Sequence, residues 1–249
     1  METTETGVAF RIGHTGHADP YPFAPYRITS LRLMQPVGEG AWAFEDLQHR
    51  MDGVEDDAVL PLETEMREGA IGQGARLLAI ETNPSFSELP ADAFADYLAE
   101  EGLSVIADAR GDDSDAPGRE RYSRRSKILL GGVAADANYA FGTPIGQTLE
   151  IVPVSNPTVA GPATFDILYR GLPAEGLTVA LYNLDIATPR APTRLTDAQG
   201  RIGFDLPPGR WMLSTAWASA LPEGGSASEL ADWDTIFSTF TFTTEPDTP

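Results

Sequence analysis

Through most of this chain apolar and polar residues alternate at a period of two, the spacing of a half-buried strand. Val8, Phe10 and Ile12 open the series and run into Gly13-His14-Thr15-Gly16-His17, where the strand ends. Asp19 to Pro25 lacks amide donors at its three prolines and reads as an extended loop. Tyr26 to Leu33 resumes as strand. Gly38 and Gly40 then turn the chain, placing Trp42 and Phe44 to cover one sheet face. Asp52 to Asp57 reads as an acidic, solvated loop. Ala75 to Glu81 is a buried strand through Leu77, Leu78 and Ile80, ended by Asn83-Pro84.

One segment changes period. Pro90 suits a helix start, Phe94, Tyr97 and Leu98 recur at helical spacing, and Gly102 followed by Leu103 fits a left-handed cap with its hydrophobic contact. The spacing predicts one short helix at about 91–101, packed on a sheet. Asp108 to Gly118 reads as a loop before the next strand, Glu120 to Leu130. Beyond Gly146 seven strand candidates are separated by turns: Thr148 to Val154, Thr164 to Tyr169, Leu177 to Leu184, Thr193 to Thr196, Arg201 to Leu206, Trp211 to Trp217 and Thr235 to Thr243. Seven short strands with such turns suggest a sandwich of the immunoglobulin-like kind. The fold class is therefore all-β with two β-sandwich-like domains, residues 1–143 with the helix and residues 144–249 with the seven strands.

Composition narrows the function. A chain of 249 residues buries a core without staples, and it has no cysteine, so thiol nucleophiles, thiolate metal sites and disulfides are excluded. The excess of 37 Asp plus Glu over 17 Lys plus Arg gives a net charge of -20, which repels nucleic acid and anionic membrane surfaces. No run of 18 apolar residues or charged leader is present, so neither membrane insertion nor a signal peptide is read in the chain as written. Gly-x-Ser-x-Gly, His-Glu-x-x-His, phosphate-loop and dinucleotide patterns are absent, and the reading is non-enzymatic.

Two constellations carry chemistry. His14 and His17, with Asp19 two residues on, offer nitrogen and oxygen donors to a divalent transition metal, the one cofactor the sequence suggests. Arg119, Arg121, Arg124, Arg125 and Lys127 gather five of the 17 basic residues into one strand. Alternation sets Arg121, Ser123, Arg125 and Lys127 on one face and Tyr122, Arg124, Ser126 and Ile128 on the other. Inward cations require paired carboxylates, which the acidic loops could supply. The functional alternative is an anion or ligand site in which Arg124 and Lys127 hold a carboxylate or phosphate. Glu55-Asp56-Asp57 and Asp112-Asp113-Ser114-Asp115 lack calcium-loop spacing, and Trp211 and Trp217 share a face with Leu213 as core. Trp233 keeps a carbohydrate-binding reading open.

The helix from Pro90 to Leu103, then Tyr122-Ser123-Arg124 with Lys127, Leu149-Glu150-Ile151-Val152-Pro153, Thr196-Asp197-Ala198-Gln199-Gly200-Arg201 and Pro208-Gly209-Arg210-Trp211 stand in a familiar order. The chain resembles a bacterial exported family, the domain of unknown function 4198, once described as periplasmic components of nickel or cobalt transport. The resemblance implies a periplasmic location, an N-terminal β domain and a C-terminal sandwich like those of transthyretin-like modules. Family members begin, after a signal peptide, with a histidine-containing strand; nothing equivalent follows Met1, so a signal and first strand are expected upstream. Ser214-Thr215-Ala216-Trp217-Ala218 also lacks a histidine common there, and Arg125 replaces a common aromatic. The resulting expectation is an exported ligand-binding or accessory protein associated with transition-metal uptake, whose partners are a small ligand or metal ion and membrane transport components. The alternative is a structural or adhesive envelope module binding polysaccharide or protein.

Overall fold

The computed structural model describes residues 1–3, 7–9, 24–38, 41–51, 59–61, 75–111, 115–131, 140–186 and 190–246. Its strands are β1 (Glu2–Thr3), β2 (Gly7–Ala9), β3 (Ile28–Gly38), β4 (Ala41–Asp46), β5 (Val59–Pro61), β6 (Arg76–Thr82), β7 (Ser85–Leu89) and β8 (Gly118–Leu130) in the first half. The second half supplies β9 (Leu149–Pro153), β10 (Gly161–Tyr169), β11 (Leu172–Pro173), β12 (Thr178–Asn183), β13 (Arg190–Leu195), β14 (Arg201–Leu206), β15 (Gly209–Ala220) and β16 (Trp233–Thr244). Helices α1 (Ala91–Glu101) and α2 (Ser104–Arg110) stand between β7 and β8. All seven strands expected beyond Gly146 form, and α1 has the expected bounds.

A nine-stranded sheet runs β13-β12-β15-β16-β8-β6-β3-β4, with β7 also on β8. Asn83-Pro84 breaks one strand direction into two, so β6 pairs with the C-terminal half of β8 and β7 with its N-terminal half. Strands from both sides of the expected division at residues 143 and 144 take part in this sheet. Its seam is the parallel pairing of β8 with β16, from Trp233 opposite Glu120 to Thr241 opposite Ile128. Local turn chemistry cannot announce a parallel pair so distant in sequence. A four-stranded sheet of β9, β10, β11 and β14 lies across one face.

Between the two sheets Phe165, Ile167, Ile202 and Phe204 pack against Val179, Leu213, Phe240 and Phe242. Strand β6 is buried on both faces, and its continuous apolar run follows from that. Leu77 and Ala79 enter the sandwich core, whereas Leu78 and Ile80 join Met1, Val8, Leu31, Leu47 and Met51 on the opposite face. There the small β1-β2-β5 sheet supplies Val8. Further along that face Phe94, Tyr97, Leu98 and Ile106 of the helices cover Ala216 and Phe237.

Two expectations change. Residues 104–110 form α2 where only Ile106 is buried, too few apolar positions to show a helical period. Phe44 is 62% exposed instead of covering a face with Trp42, because β4 is an edge strand.

Glycine fixes the helical layer against the sheet. Gly102 caps α1 in the left-handed conformation at φ 69°, and a Cβ there would meet the Thr178 side chain at 2.4 Å. At Gly118 a Cβ would lie 2.0 Å from the Phe94 ring. The helices therefore sit as close as backbone permits.

Candidate functional site

Strand β8 sorts its cations by face, as alternation requires. Arg119 forks onto Asp232, Arg121 pairs with Asp234 at 2.8 Å, and Arg125 pairs with Glu81 at 3.3 Å. Lys127 points into the sandwich, 2% exposed, and donates to Glu150 at 2.8 Å. The expected carboxylate partners thus exist, but they come from β6, β9, β16 and the approach to β16 rather than from acidic loops. Glu150 also accepts the amides of Ile145, Gly146 and Gln147 at 2.8, 3.0 and 3.2 Å. Four donors fill a carboxylate's acceptor capacity, so this centre has none left for a ligand. Burial pulls Lys127 below its ordinary range, and Glu150 offsets part of the fall.

Arg124 projects to the other face, so it and Lys127 do not share one site. Its guanidinium carbon lies 4.9 Å from the Phe237 ring centre and 5.6 Å from that of Tyr122. Beside it Tyr97 donates to Glu120 at 2.8 Å in a buried pair. Burial raises the Glu120 carboxyl above its ordinary 4.5, against the opposing pull of Tyr97 and Arg124. Burial and the Glu120 carboxylate push the Tyr97 phenol up as well, so it acts as a donor throughout the working range. His14, His17 and Asp19 lie outside the described residues. No group of three metal-ligating side chains occurs among the described residues.

An open concavity lies at the sandwich rim, where the α1–α2 corner meets β10, β11 and β15. This cleft has a volume of about 400 Å³ and is lined by Leu103, Val105, Tyr169, Leu172, Glu175 and Trp217, among others. That volume lies within the roughly 300–1,000 Å³ range of small-molecule clefts. Tyr169 from the small sheet stacks on Trp217 from the large one, with centroids 3.9 Å apart and planes 13° apart. Arg170 sets its guanidinium 5.2 Å from the Tyr169 ring centre. Its φ of 52° is the one positive value at a non-glycine among the described residues, in a two-residue turn with Gly171 at 77°. Two-residue hairpin loops take positive φ at both central positions because that twist matches the flanking strands, so the turn itself accounts for the value.

Sequence pattern assigned Trp217 wholly to the core. It is only partly buried, because it also lines the open rim cleft. Trp211 is core as expected, at 6% exposure, and Trp233 packs on the helical layer. Tyr169 and Glu150 carried no sequence signal for these roles: each depends on a partner brought in by pairing between distant strands.

The order of helix, charged strand, Glu150 strand and Gly-Arg-Trp turn matches one family throughout. The chain belongs to the family described as Domain of unknown function (DUF4198), whose profile matches residues 3–219. No curated protein and no solved structure matches it. The DUF4198 match covers β8, the Lys127–Glu150 centre and the cleft, and it stops within β15, before β16 begins. No helix among the described residues is long and apolar enough to cross a membrane.

Proposed function

We propose that this DUF4198 protein is a non-enzymatic, exported binding module that takes a small, ring-bearing ligand in the rim cleft. The observation that carries the reading is the Tyr169–Trp217 stack in the wall of a 400 Å³ cleft. Aromatic faces bind the apolar face of a sugar ring or another planar group, while Glu175 and Ser104 at the cleft offer hydrogen-bonding groups for orientation. A saccharide of the cell envelope fits this chemistry better than a free ion, since Glu175 is the only charged side chain among the described residues lining the cleft. The absence of nucleophile and base motifs in the sequence supports binding without turnover.

Thermal unfolding in the presence of short oligosaccharides and aromatic metabolites tests the proposal. Ligand at 100 times its dissociation constant stabilises the native state by about 2.7 kcal/mol, or about 5–10 °C for a chain of this size. The shift should vanish in Trp217→Ala while that variant keeps its cooperative transition. A panel without any Trp217-dependent shift would count against the cleft.

A second reading rests on the His14-x-x-His17-x-Asp19 spacing and the family's metal-transport description: an accessory role in nickel or cobalt uptake. Its test is separate, a chelator-treated protein titrated with nickel and cobalt beside His14→Ala/His17→Ala. Saturable binding lost in that variant supports it; indifference of both proteins to metal removes it.

A further inference from the structure

Of the five cations gathered on β8, four have carboxylates within salt-bridge distance, and Arg124 alone has none among the described residues. Its Nε is buried with no hydrogen-bond partner. The neighbours that face it are Tyr122 and Phe237 through their rings, Tyr97 and Glu101 from α1, Glu120 from its own strand, and Arg27. Arg27 comes from the turn before β3, where its guanidinium carbon lies 5.3 Å from the Tyr122 ring centre. Among the described residues its donors reach only the Tyr122 hydroxyl at 3.4 Å and the Asn83 carbonyl at 3.5 Å, both long contacts. Two guanidiniums therefore converge on one tyrosine and repel each other, and the buried Arg124 Nε is left unused. Native structures rarely leave such groups without a partner.

We propose that Arg27, Arg124 and the Tyr122 hydroxyl form a site for a small oxyanion, a carboxylate or phosphate group, distinct from the rim cleft. Guanidinium forks recognise these groups by paired N–H donors, and an anion between the two arginines removes their mutual repulsion. Net charge sets the size of the ligand. A protein at -20 repels polyanions at long range, so the occupant is a compact anion held by contact rather than a nucleic acid or an anionic membrane. The site shares no lining residue with the cleft, and its failure leaves the cleft reading untouched.

Isothermal titration at constant ionic strength with inorganic phosphate, pyrophosphate and citrate tests the site, with chloride as the reference anion. Saturable binding of at least one probe is expected, weakened by about tenfold or more in Arg27→Gln and in Arg124→Gln, as each removes a charge-assisted contact. Arg27→Gln lies outside the packed core and keeps the test decisive if Arg124→Gln fails to fold. Arg119→Gln, on the same strand but paired with Asp232, should leave affinity unchanged. Phosphate-only binding assigns a phosphate ligand and citrate-only binding a carboxylate. No saturable binding of any probe, or binding that persists in Arg27→Gln, overturns the proposal.

Discussion

Lys127→Met isolates the buried ion pair of the sandwich core. At the observed 2.8 Å and an effective dielectric near 20, the attraction is about 6 kcal/mol. Withdrawing each ion from water costs several kcal/mol, so the pair as a whole contributes little net stability. Removing the ammonium alone is different: Glu150 keeps its desolvation cost and loses its compensation, and the expected loss is about 3–5 kcal/mol. Glu150→Gln strands the ammonium in the same way and faces an amide NH2 towards the Ile145–Gln147 amides. In the double variant both charges are gone, leaving mainly the unsatisfied amide donors at about 1–3 kcal/mol. The double variant should therefore be at least as stable as either single one, with a coupling energy of about 3 kcal/mol or more. Urea unfolding followed by tryptophan fluorescence and far-ultraviolet circular dichroism measures this as midpoint shifts at constant slope. A loss below about 1 kcal/mol for Lys127→Met, or single effects that add to within about 0.5 kcal/mol, would refute the reasoning.

Two further outcomes follow from the helical layer. Gly118→Ala drives a methyl group to 2.0 Å from the Phe94 ring, which is 1% exposed and hemmed by Tyr97; the overpacking should cost about 1–3 kcal/mol, and unfolding midpoints unchanged from wild type would contradict it. Glu120, with its carboxyl raised above 4.5 by burial, binds its proton more tightly folded than unfolded, so its contribution is present in acid and is lost as pH rises from 4.5 through the folded value. Glu120→Gln removes that dependence, so the wild type should lose stability relative to the variant as pH increases from 4 to 8; a difference independent of pH would show that the carboxyl is not shifted.

Much of the fold was legible because its signals are local. The Pro90 and Gly102 boundaries bracket α1, and the Asp197-to-Gly200 turn with Ile202, Phe204 and Leu206 gives β14 its single buried face. What escaped is what depends on pairing at a distance. The β8–β16 seam joins residues 113 apart, so no local pattern announces that strands from the two halves of the chain pair side by side. The candidate site divides along the same line. Arg124 was identifiable as an unusual cation within its strand, whereas Arg27, from the turn before β3, and the Tyr169–Trp217 stack appear only when distant elements meet.

That seam also has a consequence for synthesis. Strand β16 has twelve register pairs with β15 and nine with β8, and it ends at Thr244 of 249 residues. Until β16 has been made, β8 and β15 each present an open row of amides and carbonyls to a gap one strand wide. Such edges recruit foreign strands, and the β8 edge stays open from residue 130 until β16 begins at residue 233. The nine-stranded sheet therefore closes only once β16 has been made, and whatever shields those two edges in the interval belongs to the biology of this protein as much as any ligand does.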